Sequence, residues 1–116
     1  MGTWTNDIER KEARLLELRP NCEWCDKDLP PASQEAMICT YECTFCRTCV
    51  EAHLRNVCPN CGGGFCPRPI RPHLDRRPGV SLRYQMPSTT RVHLSFDKAE
   101  IADFVRGVAH IPPLER

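Results

Sequence analysis

The chain has 116 residues, with 16 Lys and Arg against 15 Asp and Glu, 7% aromatic residues, 11 prolines and nine cysteines. A formal charge of +1 excludes a generally basic nucleic-acid binder, the length suits one compact domain plus attachments, and no apolar run is long enough to span a bilayer. Met1 to Asp7 contain neither a basic region nor an apolar stretch, and Asn6 stands where a myristoylation signal carries Ser or Thr, so a cytoplasmic location with reduced thiols is expected.

Residues 1–19 form the first unit, with a helix predicted over 6–19. Asn6 and Glu9 open it, Pro20 closes it, and Ile8, Leu15 and Leu16 make a narrow apolar stripe opposite a charged face. Packing on the rest of the chain is the expectation for that stripe, with dimerisation through it as the alternative.

Residues 20–66 hold eight cysteines as four close pairs: Cys22/Cys25, Cys39/Cys43, Cys46/Cys49 and Cys58/Cys61. That is the ligand count of two tetrahedral thiolate sites, because a two-residue gap lets one tight turn aim both sulfurs at one ion. Large apolar residues between Pro20 and Pro72 are too few to hold this stretch by burial alone. Two structural Zn2+ ions would supply folding free energy, so metal binding and folding are expected to be one event. With eight thiolates and two such ions the chain carries about −3, again unlike a basic protein.

Within that module, a short strand pair before Cys46 and a two-turn helix after Cys49, with Val50 and Leu54 on one side, predict a treble-clef-like unit in a small, metal-dominated α+β fold. Gly62 suits the backbone of a tight Cys58–Cys61 knuckle. His53 reads as a surface or helix-packing residue, since cysteine already fills all eight ligand positions. Cys66, the ninth, is left unassigned to metal.

Residues 67–79 read as a linker in which Arg68, Arg71, Arg76 and Arg77 alternate with prolines. Such a run can follow a phosphate backbone; a solvated, semi-extended linker is the preferred reading. Residues 80–116 predict a strand-helix extension. Val92, Leu94 and Phe96 alternate as in a half-buried strand, Asp97 with Glu100 caps a helix, and Ile101, Phe104, Val105 and Val108 share its apolar face. That face must pack on the zinc module, on the first helix or on a second chain.

Other chemistries for the cysteines fit less well. A disulfide framework needs an oxidising compartment. An iron-sulfur cluster is suggested by Cys43-x2-Cys46-x2-Cys49 and the later Cys58-Pro59, but eight residues separate Cys49 from Cys58 where a ferredoxin run has three. Redox catalysis by one C-x2-C pair would need a βαβ setting that the pattern lacks. Spacing alone leaves the pairing open: sequential use of the pairs gives two beads, alternate use an interlocked cross-brace with Phe45 near its centre.

From Cys22 to Cys61 the order and spacing resemble a RING finger, including Phe45 before Cys46, Trp24 before Cys25 and Pro59 after Cys58. The fourth ligand is Cys43, as in the all-cysteine RING variant. The resemblance implies a cross-brace with Cys22, Cys25, Cys46 and Cys49 at site one and Cys39, Cys43, Cys58 and Cys61 at site two. A closer likeness runs over residues 15–72. Leu16-Glu17-Leu18-Arg19-Pro20-Asn21-Cys22-Glu23, Asp26-Lys27-Asp28-Leu29-Pro30-Pro31, Cys43-Thr44-Phe45-Cys46 and Cys58-Pro59-Asn60-Cys61-Gly62-Gly63 are similar to a family of short cysteine-rich bacterial proteins described only as a domain of unknown function.

Two function classes follow. The first is a non-catalytic interaction module that binds a protein through Trp24, Leu54 and Pro59 or the flanking helices; zinc saturated by four thiolates leaves no position for a reactive water, and no catalytic residues are assigned. The second, implied by the RING resemblance, is a ubiquitin-type ligase that docks a conjugating enzyme on the same three residues, against which Gly62 stands where many ligases carry a basic residue. Nucleic-acid binding is a third, weaker reading.

Overall fold

A two-stranded hairpin lies at the centre of the protein, seen in a computed structural model that describes residues 15–116. β1 (Ala36–Ile38) runs antiparallel to β2 (Thr44–Cys46), with Ala36 opposite Cys46 and Ile38 opposite Thr44. β3 (Cys66–Pro67) pairs antiparallel with the other edge of β1, giving the order β2-β1-β3. Branched and aromatic residues, Ile38, Thr44 and Phe45, favour the extended backbone there. The connection is tight, closed by the Cys39 amide donating to the Cys43 carbonyl at 3.3 Å.

α1 (Arg47–Cys49) follows β2 without a loop and widens into a π-helical turn over Val50–Leu54. Val50 and Leu54 both turn inward, as their spacing predicts. Arg55 and Asn56, both left-handed at φ 48° and 61°, end the helix. α2 (Lys98–Val108) begins where the sequence places it: the Asp97 carboxylate accepts the Glu100 amide at 2.8 Å. Its Ile101 and Val105 are buried, and a 3-10 turn over Pro113–Glu115 closes the chain.

Phe45 is the fully buried centre of the core, edge-on to Phe65 at 5.5 Å and 76°. Leu29, Ala36, Val50, Leu54, Val57, Ile101, Val105 and six cysteines complete it, so sulfur occupies much of the space that aliphatic carbon fills in larger domains. Among the described residues, no helix is long and apolar enough to cross a membrane.

Three expectations need correction or restriction. Most of the predicted first helix falls on residues 1–14, outside the described residues, and residues 15–19 are irregular. No strand forms over 92–96: Val92 and Leu94 are half-buried, but Val92 finds its hydrogen-bond partner in the Asn21 side chain rather than in a neighbouring strand. Alternation alone does not make a strand where the backbone is bonded by a side chain instead of a ladder.

The segment 67–79 is likewise not a free linker at its start. Pro67 belongs to β3, and the Arg68 guanidinium, 4% exposed, donates to the carbonyls of Arg19 (2.8 Å), Leu29 (3.2 Å) and Pro30 (3.1 Å). Arg71 donates to the carbonyls of Gln85 and Leu16 at 2.9 and 2.7 Å. Those donors are committed to backbone, which is why the arginine run does not lie open to phosphate; Arg76 and Arg77 remain exposed.

Candidate metal centre

Two knuckles of the same construction present the cysteines. In the first, the Asp26 amide returns to the Cys22 carbonyl at 2.9 Å; in the second, the Gly62 amide returns to the Cys58 carbonyl at 2.7 Å. Each turn is completed by a left-handed residue just past its second cysteine, Asp26 at φ 62° and Gly62 at φ 79°. Glycine adopts this backbone without strain, and Asp tolerates it better than most residues.

The first group joins the knuckle thiols of Cys22 and Cys25 to Cys46, at the end of β2, and Cys49, in α1; their four sulfurs lie within 4.8 Å of one another. Cys25 and Cys46 are 3.8 Å apart, sulfur to sulfur. Zn–S bonds of about 2.3 Å in a tetrahedron separate sulfurs by about 3.8 Å, so the donor set fits such an ion. A disulfide needs about 2.05 Å, and none of the nine cysteines forms one.

The second group joins Cys39 and Cys43, on either side of the hairpin turn, to Cys58 on the second knuckle, again within 4.8 Å. Cys61 is exposed and does not join them; its sulfur accepts the Gly63 amide at 3.4 Å. The structure therefore brings together seven of the eight expected ligands, in groups that alternate along the chain.

Crowded thiols set their own electrostatics. Hydrogen bonds from Cys43 and Cys58 hold the Cys39 thiol down to about 3. Cys58 is pushed up, first by its bonds to Cys39 and Cys43 and then by burial, whereas in the first group burial pushes up Cys22 and Cys49. Each group thus holds one thiol that is lowered, Cys39 in the second and Cys25 in the first, beside others that are raised, and a bound dication would favour the thiolate form.

Around the sulfurs runs a polar shell that the spacing of cysteines did not disclose. Glu23, between the two cysteines of the first knuckle, has a side chain 1% exposed. Its carboxylate accepts the Thr44 amide at 2.9 Å, Arg19 Nη1 at 3.1 Å and Asn60 Nδ2 at 3.3 Å. Asn60 Nδ2 also lies 3.4 Å from Cys43 Sγ, so one carboxylate on the first knuckle orients the second. Burial raises the Glu23 carboxyl, opposed by the Thr44 amide and by Arg19. A glutamate between two cysteines carries no local sign of such partners.

The three residues expected to meet a partner are not an open surface. Leu54 is fully buried, Pro59 is buried and Trp24 is half-buried. The reason is α2, which seats Ile101 and Val105 in the same core and holds the Lys98 ammonium 5.0 Å from the Trp24 ring centre. His53 stacks on Trp24 at 4.6 Å and 9° and belongs to neither thiol group.

The family described as protein of unknown function (DUF1272) matches residues 15–71. An uncharacterized protein of Rhizobium meliloti (strain 1021) is 55% identical over 75 residues, which cover 63% of this chain and 89% of that protein. No solved structure matches the chain.

Proposed function

The chain belongs to the family of proteins of unknown function DUF1272, and from that starting point we propose that it is a zinc-binding, non-catalytic protein-interaction module with two structural four-cysteine sites. Cys22, Cys25, Cys46 and Cys49 hold one ion, and Cys39, Cys43, Cys58 and Cys61 the other, in a RING-like cross-brace. The observation that carries this reading is the alternation of the two groups, each with sulfurs within 4.8 Å. Cys61 completes the second set by swinging its side chain inward, since its knuckle repeats the turn that aims Cys25 at the first. Four thiolates saturate each ion, which favours a scaffold over a hydrolytic centre.

The cover that α2 lays over the Trp24, Leu54 and Pro59 face bears on both readings, and the interaction module is preferred because Gly62 stands where many ligases carry a basic residue. Native mass spectrometry should find two zinc ions per chain. A bare polypeptide, or one with its thiols joined to one another, would overturn the proposal. A discharge assay with purified conjugating enzymes should show no stimulated ubiquitin release.

A further inference from the structure

We propose that the face formed by Trp24, Leu54, Pro59 and Gly62 is a groove that binds an amphipathic helix, and that residues 91–116 occupy it as a tethered ligand. The inference rests on the interaction-module reading and names the ligand class of its surface.

The groove has three chemically distinct stations, each filled by one part of α2. An aromatic plate, Trp24 stacked on His53, meets the Lys98 ammonium at the start of the helix. An aliphatic floor containing Leu54 and Val57 receives Ile101 and Val105. At the second knuckle the Phe104 ring lies over Gly62, where a Cβ would stand 3.4 Å from it, at the inner edge of ordinary contact. The ligand pattern is a cation, an aliphatic residue three positions on, then an aromatic and an aliphatic at six and seven, which are Lys98, Ile101, Phe104 and Val105 on one helical face.

Three observations mark this helix as a docked segment. The family match ends at residue 71, so α2 and its lead-in lie beyond the part of the chain that carries both thiol groups. Its ends are pinned by polar contacts at the rim: Arg91 to Asp26 and Asp28, Val92 to the Asn21 amide, and Arg116 to the carbonyls of Asn56 and Gly62. Its fit is also incomplete, because Phe96 and Phe104 stay half-exposed around a gap of about 340 Å³ beside Pro59. A short apolar contact with a polar rim is the anatomy of an interface between separable pieces. A helix of the same pattern supplied from outside therefore competes with α2 for this site.

The test uses the full-length, zinc-loaded chain and a fluorescent peptide of residues 91–116. Ile101→Asp places a charge at a site 1% exposed and should unseat α2 while both zinc ions stay bound. The peptide should bind this variant, and bind the wild type at least roughly tenfold more weakly, because a tethered competitor acts at an effective concentration near millimolar. A peptide carrying the same Ile101→Asp change should bind neither protein. Zinc-loaded Ile101→Asp that ignores the peptide would overturn the inference. So would a variant that loses its zinc, since assembly of the thiol groups would then depend on α2. Wild-type protein without zinc would overturn the proposed function itself, a result told apart by weighing the same samples under native conditions.

Discussion

Replacing Glu23 with glutamine changes one atom in the wall between the two thiol groups, and its cost can be worked out from the contacts. The carboxylate accepts three hydrogen bonds with its side chain 1% exposed, and every partner is a donor: the Thr44 amide, Arg19 and Asn60. A glutamine amide supplies one acceptor and one donor group, so whichever way it is turned, an N–H faces another N–H. The better orientation keeps the oxygen on Thr44 and Arg19 and strands Asn60. Should Asn60 flip to compensate, its own oxygen turns toward Cys43 Sγ, now 3.4 Å from the donor nitrogen.

An unsatisfied buried donor costs about 1–3 kcal/mol and a charge-assisted bond is worth about 1.5–3 kcal/mol. Arg19 keeps some of its stabilisation, being partly exposed and near Glu17 at 3.5 Å, so the loss should stay below the ~3–5 kcal/mol of a broken fully buried pair. About 2–3 kcal/mol is expected. The assay is urea unfolding at a buffered free zinc concentration, because any ion that binds the folded state alone shifts apparent stability by mass action. Asn60→Ala should cost about 1 kcal/mol, and the double variant should lose no more than Glu23→Gln by itself, within about 0.5 kcal/mol. A Glu23→Gln protein within about 0.5 kcal/mol of wild type, or full additivity with Asn60→Ala, would refute the reasoning.

Cys46→Ser should abolish folding of the metal module, seen as loss of bound zinc and of cooperative unfolding, because Cys46 both joins the first group and links the end of β2 to α1. Cys61→Ser should weaken binding of one ion and leave the other; two ions held at wild-type affinity would remove Cys61 from the ligand set. His53→Ala should keep both ions and lose only its stack on Trp24, so loss of an ion would show that the ligand assignment is wrong. Arg68→Met should destabilise by about 2–3 kcal/mol in the same urea assay, since the Arg19, Leu29 and Pro30 carbonyls lose a buried donor and, among the described residues, only Pro30 has another, the Ser33 amide at 2.8 Å.

The features legible in the sequence are those produced within a few residues. Cys22/Cys25 and Cys58/Cys61 announce their knuckles because a two-residue gap and the residue after it determine the turn. Asp97 with Glu100 announces the start of α2, and Val50 with Leu54 announces the buried side of α1, because caps and helical periodicity are local. Where a residue's partner lies far along the chain, the reading failed. Val92, Leu94 and Phe96 alternate correctly, yet no strand is there to pair with them. Arg68 looked like a solvated cation because nothing nearby in sequence reveals carbonyls at residues 19, 29 and 30.

What the sequence by itself determined is the chemistry: which thiols could hold a metal ion, in pairs close enough to act together, and the short turns and caps that present them. Spacing left open which pairs meet, a grouping that only the RING resemblance implied, and tertiary structure alone decided that a glutamate on one knuckle orients the other and that the last helix lies over Trp24, Leu54 and Pro59. The physical reason is range. Backbone turns and helix caps are settled by neighbours a few bonds away, whereas thiol grouping, carboxylate partners and surface coverage depend on where distant segments come to rest when the chain closes around its small, sulfur-rich core.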